Sequence, residues 1–356
     1  MNIVKIQGPN EMKNNLHYEY DADSTPLGEG GMGKVFQGYC INDNNPNEYF
    51  SVAIKVVTNI TPALIERARR EASIQIDHPN LLRMYGFIPN MEWDAATNAH
   101  VTRYYLIMER LVGVNLDNLL GGLTLDNSGI QVDYAKKLYD KYRNDKHNAI
   151  KLIVNNVLQG ASALHKSGYI HRDIDPSNVM ITEQGNIKLI DFGVSKSLFD
   201  NRFQLTTSGS IIGKLEYAAP EIISGKVEQH NVTTDIYAIG IFIYLLVTGS
   251  LPFVGDSAQV MQAQIMQPVP IRNIRNLSIR QIVEKATRKA QSERYQSVDE
   301  LIADWSRVAE DSSPITSGKT VVPVKQSSGI PAWLWVFMII IGLVTGIGLA
   351  VIVLGL

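Results

Sequence analysis

The stretch 171-HRDIDPSN-178 takes its meaning from what stands around it. It has the form H-R-D-x-x-x-x-N, with His171, Arg172, Asp173 and Asn178 at the fixed points and an extra acid, Asp175, inside. Thirteen residues after Asn178, 191-DFG-193 follows the strand-like 186-NIKLI-190. Further on, 218-AAPE-221 closes a segment, Asp235 opens an apolar helical run, and Arg294 lies in 291-QSERYQS-297. Each piece alone is compatible with chance; their joint order and spacing are not.

The upstream half carries matching pieces. In 27-LGEGGMGKVFQG-38, Gly28, Gly30 and Gly33 form G-x-G-x-x-G. A dinucleotide fold would need a helix after it. The β-branched and aromatic KVFQGY follows instead, which favours a hairpin folded over phosphates; glycines let the backbone approach the oxygens closely. Taken alone, an ordinary glycine-rich turn explains the motif as well. Twenty-two residues beyond Gly33, Lys55 ends 52-VAIK-55. A lysine in a strand is usually a solvated one, unless an acid on the next helix waits for it. Glu71 in 69-RREAS-73 is so placed, although an i,i+4 pairing with Arg67 would equally occupy it.

Together these motifs resemble the eukaryotic-type protein kinase family, over about residues 20–308, and look most like bacterial membrane-anchored Ser/Thr kinases. The resemblance implies an α+β, bilobal protein-kinase fold: a small antiparallel β lobe with one main helix (20–109) and a larger, mostly helical lobe (110–308). It implies Mg2+ and ATP as cofactors and protein substrates. Residues Leu27, Gly28, Glu29, Gly30, Gly31, Met32, Gly33, Lys34 and Val35 would cover the ATP phosphates. Lys55 would pair with Glu71 and the α/β-phosphates, Asp173 would accept the substrate hydroxyl's proton, and Asn178 and Asp191 would hold the metal. Met108 would face the adenine pocket, with Glu109 to Leu111 as the hinge. Glu221 and Arg294 would form an ion pair in the large lobe.

Two positions depart from the family pattern. The lysine expected two residues after the catalytic acid is Asp175, and the threonine of G-T-x-x-Y-x-A-P-E is Lys214 in 213-GKLEYAAPE-221. Two like charges ~4 Å apart repel by about 4 kcal/mol at an effective dielectric of 20, so Asp175 beside ATP must be paired, turned away, or part of an inactive site. The exchange suggests that Lys214 supplies the missing positive charge, with Asp175 as its partner. The alternative is an ATP-binding pseudokinase acting as a membrane signalling scaffold. Thr206, Thr207, Ser208 and Ser210, in the segment 194–212, are candidate phosphosites, with Arg172 as a receiving cation.

The whole chain sets the frame. Its 356 residues exceed one small domain, and a net charge of -2 gives no global electrostatic reason to bind nucleic acid. Its one cysteine, Cys40, rules out an intramolecular disulfide, and residues 1–15 lack the apolar core of a signal peptide. Residues 1–19 read as a loose polar arm, and 309–331, rich in Ser, Pro, Gly and Thr, as a linker. From Ala332 to Leu356 there is no charge at all. Twenty-five helical residues rise roughly 37 Å, enough to cross a ~30 Å hydrocarbon layer. The expectation is a single C-terminal transmembrane helix, with Trp333 and Trp335 at the interface and the kinase domain on the cytoplasmic side of a bacterial plasma membrane. Gly342, Gly346 and Ala350 recur every four residues, a face suited to a homodimer.

Overall fold

Period-two alternation in the two central strands of the small lobe decides which side chains meet the cleft. The computed structural model describes residues 2–30, 33–57, 61–94, 98–191 and 215–309. Strand β1 (Ile3–Ile6), helix α1 (Pro9–Lys13) and strands β2 (Leu16–Asp21), β3 (Gly28–Gly30), β4 (Gly33–Asn42) and β5 (Asn45–Val57) precede helix α2 (Pro62–Ser73). Strands β6 (Met84–Asp94) and β7 (Ala99–Glu109) complete an antiparallel sheet of order β1-β2-β4-β5-β7-β6, with β3 paired to β4. Along β5, Val52, Ile54 and Val56 enter the core of the small lobe, while Ala53 and Val57 enter a second core that continues into the large lobe. Lys55 shares the face of Ala53 and Val57. In β7, Tyr105 and Ile107 face the first core, and Leu106 and Met108 the second.

The 1–19 arm is not loose. Strand β1 pairs with β2 from Ile3↔Asp21 to Ile6↔Tyr18, and Ile6 is fully buried. Asn90 Nδ2 of β6 donates to Lys5 O of β1 at 3.1 Å, so the two edge strands of the sheet are joined. Burial of Ile6 among Tyr18, Ile88 and Tyr105 outweighs the polar composition that made the arm look unstructured. The β4–β5 turn is tight. It occupies Asp43 and Asn44, and β5 begins at Asn45.

The large lobe holds β8 (Gly113–Asn115), α3 (Leu116–Leu120), α4 (Asp133–Asn144), α5 (Lys146–Lys166), β9 (Val179–Thr182) and β10 (Ile187–Leu189). Helices α6 (Pro220–Ile223), α7 (Val232–Thr248), α8 (Ser257–Met266), α9 (Leu277–Ala286) and α10 (Val298–Ser306) follow. The apolar α7 is buried almost throughout and stops at Gly249, whose φ of 80° suits a residue without a Cβ. No helix among the described residues is long and apolar enough to cross a membrane. The expected span at 332–356, with its Gly342/Gly346/Ala350 face, and the linker 310–331 lie outside the described residues.

The lobes are joined behind the cleft by backbone pairing. After α2 the chain lies on β10, where Leu82 N donates to Leu189 O and Leu189 N to Asn80 O, both at 2.9 Å. The Asn80 amide reaches Asn156 Oδ1 of α5 at 2.6 Å and Ile187 O at 2.8 Å.

Candidate active site

The 171–178 loop is held from below by one carboxylate. Asp235, in the first turn of α7 and fully buried, accepts from His171 N, Arg172 N and His165 Nε2, each at 2.7 Å. Burial alone would push this carboxyl up. The His165 bond, the charges of His165 and His171, and the backbone N–H hold it below its ordinary value instead. The three bonds also fix Arg172 at a φ of 67°, a left-handed conformation costly for a side chain with a Cβ. His171 Nε2 donates to Ile190 O at 3.1 Å, and Ile190 N donates to Asn178 O at 2.9 Å. Asp191, with a φ of 54°, is thereby brought next to the loop.

Asp175 is buried and turned to its own loop. Its Oδ1 accepts from Ser177 N at 2.7 Å and from the Ser177 hydroxyl, capping the 3-10 turn Pro176–Asn178. Its Oδ2 lies 3.4 Å from Asn178 Nδ2, which also donates to Asp173 O at 2.8 Å. Asp173 itself is half-buried. Across the cleft, Lys55 Nζ is 3.9 Å from Asp191 Oδ1; the lysine is largely buried and the aspartate 57% exposed. Glu71 is buried on α2.

Leu27 N donates to Val35 O at 2.7 Å, and Gly28↔Val35, Glu29↔Lys34 and Gly30↔Gly33 pair as a hairpin. The glycine-rich motif thus precedes a strand, as its sequence suggested. Gly31, Met32 and Lys214 lie outside the described residues, as does 192–214 as a whole. Met108 is buried on the cleft face, and Leu111 packs against the core. At the hinge, Glu109 N donates to Arg83 O at 2.9 Å, and its carboxylate accepts from Lys188 Nζ at 2.9 Å. Lys188 also donates to Leu81 O at 3.1 Å.

Four residues of this arrangement escaped the motif reading. Lys188 had a signal, a lone cation inside the apolar NIKLI. His165 and Gln264 had none. Gln264 is fully buried in α8, its amide donates to Leu215 O at 3.3 Å and to Glu216 O, and its Oε1 accepts from Tyr237 OH at 2.5 Å. It anchors the chain entering 218-AAPE-221. Asn127 sits in a turn of the large lobe, where Asp126 Oδ1 accepts from Ser128 N and Ile130 N at 2.9 Å. Its amide donates to Leu27 O at 2.7 Å, crossing from the large lobe to the base of the glycine-rich hairpin. The expected Glu221–Arg294 pair is present, bidentate at 2.8 and 2.9 Å and buried.

Among the described residues no three His, Cys, Asp or Glu side chains converge as a metal site. Asn178 and Asp191 offer two hard oxygen donors instead, a set that suits Mg2+ completed by phosphate oxygens and water.

Comparison with known proteins agrees with this geometry. The protein kinase domain family matches residues 22–311. A probable serine/threonine-protein kinase of Clostridium perfringens, CPE1738, is 28% identical over 304 residues, 83% of this chain and 39% of its own length. The probable serine/threonine-protein kinase PknB of Lactococcus lactis is 30% identical over 78% of this chain and 40% of its own. PrkC of Bacillus subtilis, a serine/threonine-protein kinase, is 29% identical over 78% and 39%. The chain therefore spans about 40% of the length of these curated relatives. With the loop, the DFG aspartate, the strand lysine and the buried Glu221–Arg294 pair in place, the chain belongs to the eukaryotic-type Ser/Thr protein kinase family.

Proposed function

We propose that this chain is an active, membrane-anchored kinase that transfers the γ-phosphoryl group of Mg-ATP to Ser or Thr hydroxyls of proteins. The observation that carries the reading is the approach of Lys55 to Asp191 across a cleft whose floor holds Asp173 and Asn178. Phosphoryl transfer offers the protein little covalent chemistry, so it acts by positioning and by neutralising charge. Lys55 holds the α/β-phosphates as a point charge. Asp173 accepts the proton of the substrate hydroxyl. Asn178 and Asp191 would hold Mg2+, which when bound neutralises charge on the phosphoryl oxygens.

Asp175 has a positioning role in this reading. Asp173 O and Asp175 Oδ2 take the two amide protons of Asn178, which leaves its Oδ1 for the ion. The positive charge that the family draws from a lysine at this position comes from Lys214. Membrane anchoring rests on the charge-free 332–356, and autophosphorylation on the hydroxyls at 206–210.

Incubation of the full chain with γ-³²P-ATP and a protein substrate tests the proposal. Asp173→Asn lowers transfer by the ~10²–10⁴-fold expected for a lost general base while ATP still binds. Unchanged turnover removes Asp173 from its role. A cycle of Asp175→Lys, Lys214→Thr and the double variant tests the exchange. Coupling of at least ~1 kcal/mol in kcat/KM is expected, and purely additive losses would mean that the two residues act apart.

A further inference from the structure

On the side of the large lobe where α5 begins and α10 ends, a cavity of about 600 Å³ is lined by residues of α5, α7, α9 and α10. Its size falls within the ~300–1,000 Å³ usual for small-molecule sites. Lys146, Lys151, Arg275 and His147 line it, and no Asp or Glu does so among the described residues. Asp145, the N-cap residue of α5, is not among the lining residues; its carboxylate takes Lys141 Nζ at 2.9 Å and, in the first turn of α5, Asn148 Nδ2 at 3.1 Å.

The cavity also meets the N-terminus of the 21-residue α5, which follows the N-cap Asp145 and has no acid in its first turn. First-turn N–H groups and the helix dipole favour an anion there. Lys146 Nζ donates to Val247 O at 3.0 Å and Lys151 Nζ to Val308 O at 2.6 Å. Each ammonium has three donors, so these bonds leave capacity for a ligand. Independently, Trp305 is 1% exposed, and its indole N–H has no partner among the described residues; the same holds for His147 Nε2. A buried donor without an acceptor costs ~1–3 kcal/mol, and a ligand oxygen would relieve that cost. The rest of the wall is apolar: Ile150, Val247, Ile279 and Val308.

We propose that this cavity is a binding site for an amphiphile with a phosphate head and an apolar body. The phosphate meets the α5 N-terminus and the Lys146, Lys151 and Arg275 cations, and the body lies along Ile150, Ile279 and Trp305. The head chemistry is shared by an anionic membrane lipid and a soluble phosphate ester.

The test uses the full chain in neutral detergent, with saturating Mg-ADP to fill the nucleotide cleft. Hexyl phosphate is titrated against inorganic phosphate and hexanol, with melting temperature and tryptophan fluorescence as readouts. Hexyl phosphate is expected to bind at least ~10-fold more tightly than either half alone, since charge-assisted bonds and apolar burial act together. Arg275→Glu, an exposed change that spares the core, weakens it by at least ~10-fold through the reversed charge. Trp305→Phe abolishes the fluorescence response. No binding, binding unaffected by Arg275→Glu, or equal binding of inorganic phosphate would each overturn the proposal. Nanodiscs of phosphatidylcholine with and without phosphatidylglycerol then separate the sources. A fluorescence change confined to the anionic discs assigns the site to a lipid; its absence, with hexyl phosphate binding intact, assigns it to a soluble ester.

Discussion

The Glu221–Arg294 pair closes with two bonds at 2.8 and 2.9 Å, both partners buried, while the Lys55–Asp191 pair spans 3.9 Å with its aspartate 57% exposed. Arg294 further donates to Thr233 O, Arg288 O and Lys289 O, and Glu221 accepts from Thr234 Oγ1. Burial would raise the Glu221 carboxyl, yet the Arg294 bonds and charge hold it below its ordinary value. A desolvated pair survives only when its remaining lone pairs and protons are also satisfied, and this one qualifies. The open pair makes no such demand. Its members are left short of each other and partly in water, as suits groups whose proposed partners are phosphate and metal. One ion pair builds the lobe; in the proposed function the other keeps two charges ready.

Substitutions in the two pairs should therefore fail in opposite ways. Glu221→Gln leaves Arg294 buried without its counter-charge and should cost ~3–5 kcal/mol of stability, read by urea unfolding. Retention of wild-type stability would mean that the pair is not structural. Asp191→Asn should leave stability within ~0.5 kcal/mol, as for an exposed site, while phosphoryl transfer collapses. A large fall in its unfolding midpoint would erase the distinction between the pairs.

Asp235 extends the structural class by pH. Its carboxyl is depressed in the folded chain, so its stabilising contribution is fully present above the ordinary carboxylate range. The contribution fades as pH falls through that range toward the depressed folded value. Melting curves between about pH 7 and pH 3 should thus fall more steeply for the wild type than for Asp235→Asn. Parallel curves would show that another acid sets the limit.

Asp175→Asn sharpens the functional class. Asparagine still caps the 176–178 turn through its carbonyl oxygen, but the amide nitrogen in place of Oδ2 cannot accept from Asn178 Nδ2. The Mg2+ concentration for half-maximal Mg-ADP binding, followed by calorimetry, should rise by about tenfold with little change in melting temperature. An equal loss of stability and of Mg2+ affinity would reduce Asp175 to a cap. The smallest effect belongs to Gly346→Ile, which should reduce crosslinked dimer in a bilayer together with phosphate on 206–210, without touching the domain itself. Unaltered crosslinking would rule out that face.

The motifs made the lobes, the strand lysine, the loop and the large-lobe pair legible, because each needs fixed residue types at fixed spacing. Asp175 shows the limit of such reading. Its departure from the pattern was visible, but its burial and its capping of Pro176–Asn178 depend on a turn geometry that no spacing encodes. The Asn127–Leu27 bond joins positions 100 residues apart, and Gln264 is one of three glutamines on a short helix, with nothing in the sequence to set it apart. Neither has a local signature. The N-terminal arm misled for a different reason: its one fully buried apolar side chain, Ile6, is too little to register as a periodic pattern.

That arm bears on how the protein is cut for experiment. A fragment trimmed to the family match at residue 22 would discard β1, α1 and β2 together. It would remove Ile6, Tyr18 and Tyr20 from the small-lobe core and uncover β4 as a bare sheet edge. Each apolar side chain of that size contributes about 1.5–3 kcal/mol when fully buried, and an unpaired edge invites other chains to add to it. Such a fragment would be expected to aggregate, and its poor yield or weak activity would be an artefact of the boundary. A fragment that starts ahead of β1 keeps Ile6, Tyr18 and Tyr20 in that core.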